Sequence, residues 1–407
     1  MRKLWYRSLS LFLTLLYYRR VRLLNAGNLP AVGPVLYVGL HRNGAVDGYV
    51  YKSQLPHIEF MISVQLRRSL IGRIFFDGIE ISRGKDRAAG ISAGAGDGNA
   101  VIDVCADYVR QGGELLILPE GTSDLGHRHL PFHKGAARTL VRLLDNSDTP
   151  PLVVPLGIHY EQAWAWQSDV EVVAGAPVDT RLPPEIQGME RVRVLHERLV
   201  QALERLAVQA DDAETFARRE RIAYAATLGS KRSYFDAMKA LESGMPEAEQ
   251  HASKLEQELL DSGRRLWRHQ GVPLMPMHHA WAYPLLFAIL APLVVLACAL
   301  NAPVLLAAAW AGRRFSDGRN TIALWRLLVG FPSLLIWVAL TFLAALLFQA
   351  LGWWFACLAV SLLGLMSVRR VQKLAVSLHN WAVAPSLRKP LLDWRAALEE
   401  CMRARNV

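Results

Sequence analysis

From residue 25 to 183, short apolar runs alternate with helix-length stretches, and that rhythm predicts strands and helices in turn. The strand candidates are Pro34–Val38, Glu59–Val64, Ile79–Ser82, Glu114–Leu118, Leu152–Ile158 and Val170–Ala174. Most are continuous apolar runs rather than alternating ones, as expected of strands covered on both faces. Ala100–Gln111 and Lys134–Leu144 have helical periodicity, and the Gly- and Ala-rich Gly84–Asn99 predicts a loop. The expected fold class is therefore α/β, a mainly parallel sheet flanked by helices. Residues 184–275 lose the strand signal, and dense charge in Glu190–Leu206 and Glu247–Arg268 predicts a helical insert with a solvated face.

Two regions are too apolar for this pattern. Residues 1–24 predict an amphipathic helix lying on a membrane surface, because the uncharged run Ser8–Tyr18 is shorter than the ~20 residues a bilayer requires. A soluble helix packed on the core is the alternative. A signal peptide fits poorly, since Arg19-Arg20-Val21-Arg22 follows where a small-residue cleavage site would stand. Residues 276–370 predict membrane hairpins. Trp281–Leu300 is uncharged and long enough to cross, Asn301-Ala302-Pro303 interrupts it, and Val304–Ala311 is a shorter arm that makes the first hairpin re-entrant. Leu327–Met366 carries no charge and is too long for one passage, so a break is expected near Gly352. Residues 371–407 predict a basic amphipathic tail.

Charge sharpens the picture. The 407 residues carry a formal net charge of +10, which calls for a nucleic acid or an anionic membrane face. Arg2, Lys3, Arg7, Arg19, Arg20 and Arg22 flank the first apolar run, and Arg313, Arg314, Arg319, Arg326, Arg369, Arg370 and Lys373 flank the later ones. Cations beside apolar segments fit a membrane, place those loops and the α/β domain on the cytoplasmic side, and disfavour nucleic acid, for which no zinc-finger or RNA-recognition spacing is present. Cys105, Cys298, Cys357 and Cys401 are scattered and imply no disulfide framework.

The chemistry concentrates at predicted strand ends. His41 follows Pro34–Val38, and Asp47 lies six residues on; such a pair suits general-base work, although a surface or capping arrangement fits the same residues. Glu120-Gly121-Thr122-Ser123 follows Glu114–Leu118: Gly121 allows close backbone approach, Thr122 offers a hydroxyl, and Glu120 either binds a ligand or caps a turn. Arg83 ends a third strand and suits a phosphate or a surface ion pair. Lys134 opens a helix, where a cation and backbone N–H groups can meet an anion. His127, His129 and His133 lack a convincing further ligand, so no metal is expected. Trp164 and Trp166 read as core or interface aromatics, and no G-x-S-x-G elbow offers a serine nucleophile.

Four ordered blocks, Gly39-Leu40-His41 through Asp47, Gly78-Ile79-Glu80-Ile81-Ser82-Arg83, Leu118-Pro119-Glu120-Gly121-Thr122-Ser123 and Val153-Val154-Pro155-Leu156-Gly157, resemble the signature of the glycerophospholipid acyltransferases. Phe132-His133-Lys134-Gly135-Ala136 adds to the match, which covers residues 25–180. The resemblance implies His41 as base, Asp47 as its orienting partner, and Arg83, Glu120, Gly121 and Thr122 as holders of a phosphorylated acceptor. It implies acyl-coenzyme A or acyl carrier protein as donor and no cofactor. A lysophospholipid such as 1-acylglycerol-3-phosphate is the expected acceptor, with glycerol 3-phosphate second and a catalytically silent lipid-binding scaffold as the non-enzymatic alternative. Five residues separate His41 from Asp47 where the family usually has four, a spacing that resembles a branch including fungal glycerol-3-phosphate acyltransferases with a helical insert and C-terminal membrane segments. Ser123 stands where the family often has Arg, and Arg128 is a downstream cation that would compensate. A transporter is disfavoured, because the apolar segments hold no charged residue.

Overall fold

The computed structural model describes residues 2–31, 33–81, 98–145, 150–277 and 279–405. Its chain divides into two compact units, Met1–Val208 with Gly318–Leu324, and Gln209–Asp317 with Trp325–Val407.

The first unit is built on a seven-stranded sheet. Its strands are β1 (Arg20–Leu24), β2 (Val35–Gly39), β3 (Ile58–Ser63), β4 (Ile79–Ile81), β5 (Glu114–Ile117), β6 (Leu152–Tyr160) and β7 (Asp169–Ala174), in the order β1-β7-β6-β2-β5-β3-β4. Every described pairing in it is parallel except β6 with β7. β2 lies between β5 and β6, with Val38 level with Ile117 and Pro155, and all five of its residues are buried. A strand covered on both faces has no use for alternation, which explains its unbroken apolar run. Because β2 and β5 are parallel neighbours, the loops that leave them emerge at one edge.

The helices of this unit are α1 (Arg2–Tyr17), α2 (Val46–Gln54), α3 (Leu70–Phe75), α4 (Gly98–Arg110), α5 (Gly135–Asp145) and α6 (Met189–Leu206). α4 begins at Gly98, inside the stretch expected to be loop; residues 84–97 of that stretch lie outside the described residues. α6 lies within the predicted insert yet belongs here, because Leu195, Leu199, Leu203 and Leu206 form a buried stripe that packs on β6. The N-terminal helix ends at Tyr17 rather than continuing to residue 24. Residues 20–24 are instead a strand parallel to β7. The arginines expected to flank a membrane helix instead pair with acids buried in β7: Arg19 and Arg20 both reach Asp169, and Arg22 reaches Glu171. Burial would raise the Asp169 carboxyl, but the two guanidiniums outweigh it and hold it below its ordinary value.

The second unit is helical: α7 (Ala213–Thr227), α8 (Tyr234–Glu242), α9 (Pro246–Asp261), α10 (Ala282–Leu300), α11 (Ala302–Arg314), α12 (Arg319–Leu347, beyond its first turns), α13 (Leu351–Val383) and α14 (Arg388–Ala404), with a two-residue pairing of β8 (Arg268–His269) and β9 (Val272–Pro273). α10, α12 and α13 are each long and apolar enough to cross a membrane, and α11, of 13 residues, is shorter. The expected break in the second apolar stretch falls at residues 348–350. α13 packs closely on α10: a Cβ at Gly364 would lie 2.4 Å from the Ala297 side chain, the small-residue approach that membrane helices use. The last segment is not a free tail. Residues 371–383 continue α13, and α14 buries Leu391, Trp394, Leu398 and Met402 in contact with α7 and α9.

Candidate active site

His41 stands two residues beyond β2, and the loop that follows turns back into α2, which carries Asp47 in its first turn. The loop between them turns at Gly44, whose φ of +57° is a left-handed conformation that a side chain would strain. This turn brings His41 Nδ1 to 2.9 Å from Asp47 Oδ2. The same oxygen accepts the backbone N–H groups of Arg42 (2.6 Å) and Asn43 (2.8 Å), and Oδ1 accepts the Tyr160 hydroxyl at 2.5 Å. Asp47 is completely buried, and its charge is held by four donors rather than by water. A carboxylate so occupied can only accept, so the proton between the pair sits on Nδ1 and the lone pair is left on Nε2. The His41 side chain keeps 16% of its surface exposed, and among the described residues Nε2 has no hydrogen-bond partner.

Glu120 follows β5 and is 2% exposed. Its carboxylate accepts the backbone N–H of His41 at 2.8 Å and that of Leu130 at 3.2 Å. Burial pushes this carboxyl above its ordinary range, against the pull of those two donors. The side chain therefore braces one loop against the other. Arg42 adds a second brace by donating to the Gly126 carbonyl at 2.7 Å. Gly121 turns with φ +69° and donates its backbone N–H to the Leu118 carbonyl at 3.1 Å, and both it and Thr122 are exposed on the loop that Glu120 ties to His41.

The remaining expected residues fare differently. Arg83 lies outside the described residues. Lys134 is exposed just before α5, and the charge it bears is felt by His196 of α6, whose imidazole is pushed down first by burial and then by this cation. His129 stacks on Phe132 at 4.3 Å, and among the described residues no three His, Cys, Asp or Glu side chains are arranged to hold a metal. Tyr160, Asn43 and Tyr51 are additions to the site. Tyr160 ends β6 and stays protonated, since burial raises its hydroxyl well above the ordinary value. Asn43 donates to the Tyr18 hydroxyl at 2.8 Å and the Ala163 carbonyl at 3.1 Å, and Tyr51 donates to the Leu40 carbonyl at 2.9 Å. Of these three, only Asn43 lies between His41 and Asp47 in the sequence.

Residues 20–159, which hold both loops and most of the sheet, match the family model described as Acyltransferase. This segment is an acyltransferase-family domain. Over 49% of its length the chain is similar to the crystal structure of the 1-acyl-sn-glycerophosphate acyltransferase PlsC from Thermotoga maritima, with 18% identity, a TM-score of 0.35 and coverage of 77% of that chain. No curated protein matches the chain. His41, Asp47 and Glu120 all fall inside the acyltransferase domain.

Proposed function

We propose that the chain transfers a fatty acyl group from a thioester, acyl-coenzyme A or acyl carrier protein, to the hydroxyl of a lysophospholipid. The favoured acceptor is 1-acylglycerol-3-phosphate, with phosphatidic acid as product. The observation that carries this reading is the His41–Asp47 pair, with Nδ1–H committed to a buried carboxylate and Nε2 open, within an acyltransferase domain. Nε2 takes the proton of the acceptor hydroxyl as its oxygen attacks the thioester carbonyl. The tetrahedral intermediate then collapses, the C–S bond breaks, and the imidazolium returns the proton to the departing thiolate. General-base help of this kind is worth roughly 10²–10⁴-fold. Asp47 stabilises the imidazolium in between. Gly121 and Thr122, exposed on the loop that Glu120 ties to His41, are suited to the phosphorylated end of the acceptor, with Arg83 and Lys134 as further cations toward it. Glycerol 3-phosphate is the second reading, favoured by the five-residue His-Asp spacing.

A lipid acceptor suits a chain with three helices able to cross a membrane. The first unit carries its own apolar surface: Leu4, Trp5, Leu11, Phe12 and Leu15 of α1, with Leu70, Ile71 and Ile74 of α3, are exposed. The two helices are joined by Trp5 Nε1 donating to the Ile74 carbonyl at 3.1 Å, and Lys3, Arg7, Arg68 and Arg73 are exposed beside them in sequence. Cations around an apolar face suit an anionic, cytoplasmic leaflet.

Membranes containing the chain should be offered labelled acyl-coenzyme A and acyl carrier protein thioesters with each acceptor in parallel. Product from one acceptor names it, and His41→Ala should abolish that product while membrane association persists. Equal activity of native and His41→Ala membranes would reject the mechanism, and silence with every donor and acceptor would favour the scaffold.

A further inference from the structure

The two loops of the proposed site meet a third segment from far along the chain. Gly318–Leu324, which includes the first turns of α12, clusters with the first unit. Asn320 Nδ2 donates to the Ser123 carbonyl at 2.9 Å and to Ser123 Oγ at 2.8 Å, a contact that spans 197 residues of sequence. On its other side, the Asn320 carbonyl lies 3.0 Å from the point where a Cβ would stand on Gly44, and Ser123 Oγ and Thr321 Cγ2 each lie 3.9 Å from that point. Arg319 stacks its guanidinium 4.8 Å from the centre of the Trp164 ring, and the Trp164 carbonyl accepts the Tyr17 hydroxyl at 2.8 Å. The segment is thus anchored to the domain through Trp164 and touches both the His41–Asp47 loop and the Glu120–Ser123 loop.

We infer that Asn320 is a positioning residue for the acyl transfer: it clasps the Ser123 end of the acceptor loop and closes over Gly44, fixing the distance between the base and the groups that hold the acceptor. The inference rests on the acyltransferase reading of this site. Glu120 and Arg42 tie the loops together at His41 and at Gly126, and neither holds residues 122–123. Asn320 supplies that hold through two hydrogen bonds from one amide. Its loss leaves the His41–Asp47 pair intact and lets Thr122 drift, so the acceptor is misplaced while the base still works. A misplacement of about 1 Å can reduce a rate by about 10²-fold. The juxtaposition also makes the entry of an apolar helix part of the proposed site, although it lies outside residues 20–159.

The test uses the full chain in lipid nanodiscs, as native protein, Asn320→Ala, Asn320→Asp and Ser123→Ala. Asn320→Asp keeps the shape but sets an oxygen against the Ser123 carbonyl and can only accept from the Ser123 hydroxyl, so it should lose the carbonyl half of the clasp and shift in the same direction as Asn320→Ala. Hydrogen exchange read by mass spectrometry should rise in peptides covering residues 119–128 and 43–46 of the two Asn320 variants, with thermal midpoints near native. That readout needs no activity, so it tests the clasp even if no acceptor is found. In turnover, kcat/KM for the acceptor should fall about 10- to 100-fold, with KM for the thioester unchanged. Adding Ser123→Ala to Asn320→Ala should cause little further loss, since both act on one contact. Unchanged exchange in both peptides would overturn the clasp, and so would Asn320→Asp turning over at the native rate. Equal losses in donor and acceptor parameters, additive with Ser123→Ala, would make Asn320 a general stability residue and overturn its positioning role.

Discussion

Replacing Asp47 with Asn separates charge from geometry at this site. The amide has the shape of the carboxylate. Its oxygen can take the Oδ2 position, where Arg42 N–H, Asn43 N–H and His41 Nδ1–H converge, and its NH₂ can face the Tyr160 hydroxyl, which rotates to accept. The two backbone donors favour that orientation over the flipped one, so the imidazole keeps its Nδ1–H tautomer and Nε2 stays available. Under the proposed mechanism, what disappears is the negative charge beside the imidazolium that acyl transfer would form. Unit charges about 4 Å apart interact by about 4 kcal/mol at an effective dielectric of about 20, which corresponds to roughly a thousandfold in rate. Asp47→Asn should therefore lower kcat about 10³-fold with acceptor KM and thermal midpoint near native. Asp47→Ala strands the same buried donors and should also destabilise the domain by about 3–5 kcal/mol. The assay is initial-rate acyl transfer at saturating thioester, alongside unfolding followed by intrinsic fluorescence. A loss in kcat below tenfold for Asp47→Asn would refute the reasoning, because the buried carboxylate would then be structural.

The Glu120 carboxyl is raised by burial, so the folded protein binds its proton more tightly than the unfolded chain and native stability falls as pH rises through and above the ordinary Glu range. Glu120→Gln removes that contribution; its stability relative to the native chain should increase across the same rise in pH, and a flat difference would contradict the assigned burial. Gly121 has φ +69° and its Cβ position lies 3.4 Å from His133 Cδ2. Gly121→Ala should therefore strain the Glu120–Ser123 loop by about 1–2 kcal/mol and, under the proposed mechanism, raise acceptor KM, and native kinetics would show that the turn tolerates a side chain. Burial pushes the Cys105 thiol up to about 12, which leaves roughly one molecule in 10⁴ as thiolate at pH 8. Iodoacetamide should modify Cys105 only after denaturation, and labelling of the native chain, read by peptide mass, would place that thiol at an accessible surface.

Much of the fold was legible because its strands are buried on both faces. The runs at β2, β5, β6 and β7 are apolar almost throughout, and each predicted strand lies within two residues of its observed end. β1 escaped notice for the opposite reason. Its arginines have no local partner, and the acids that neutralise them, Asp169 and Glu171, arrive nearly 150 residues later. The charged α6 was likewise assigned to the insert, since its leucine stripe names no partner until β6 is folded beneath it.

The sequence alone determined the residues of the chemistry and their order: a histidine with an acid six positions on, a Glu-Gly-Thr turn after a buried strand, and apolar stretches of membrane length. These follow from local facts, since periodicity and residue type act over a few positions. The tertiary structure decided what the side chains do. It turned Glu120 inward as a brace between two backbones, gave Asp47 a fourth donor in Tyr160, and brought Asn320 to Ser123. Each depends on parallel neighbours or on segments up to 197 residues apart, and no local pattern encodes a hydrogen bond whose two ends meet only when the sheet has formed.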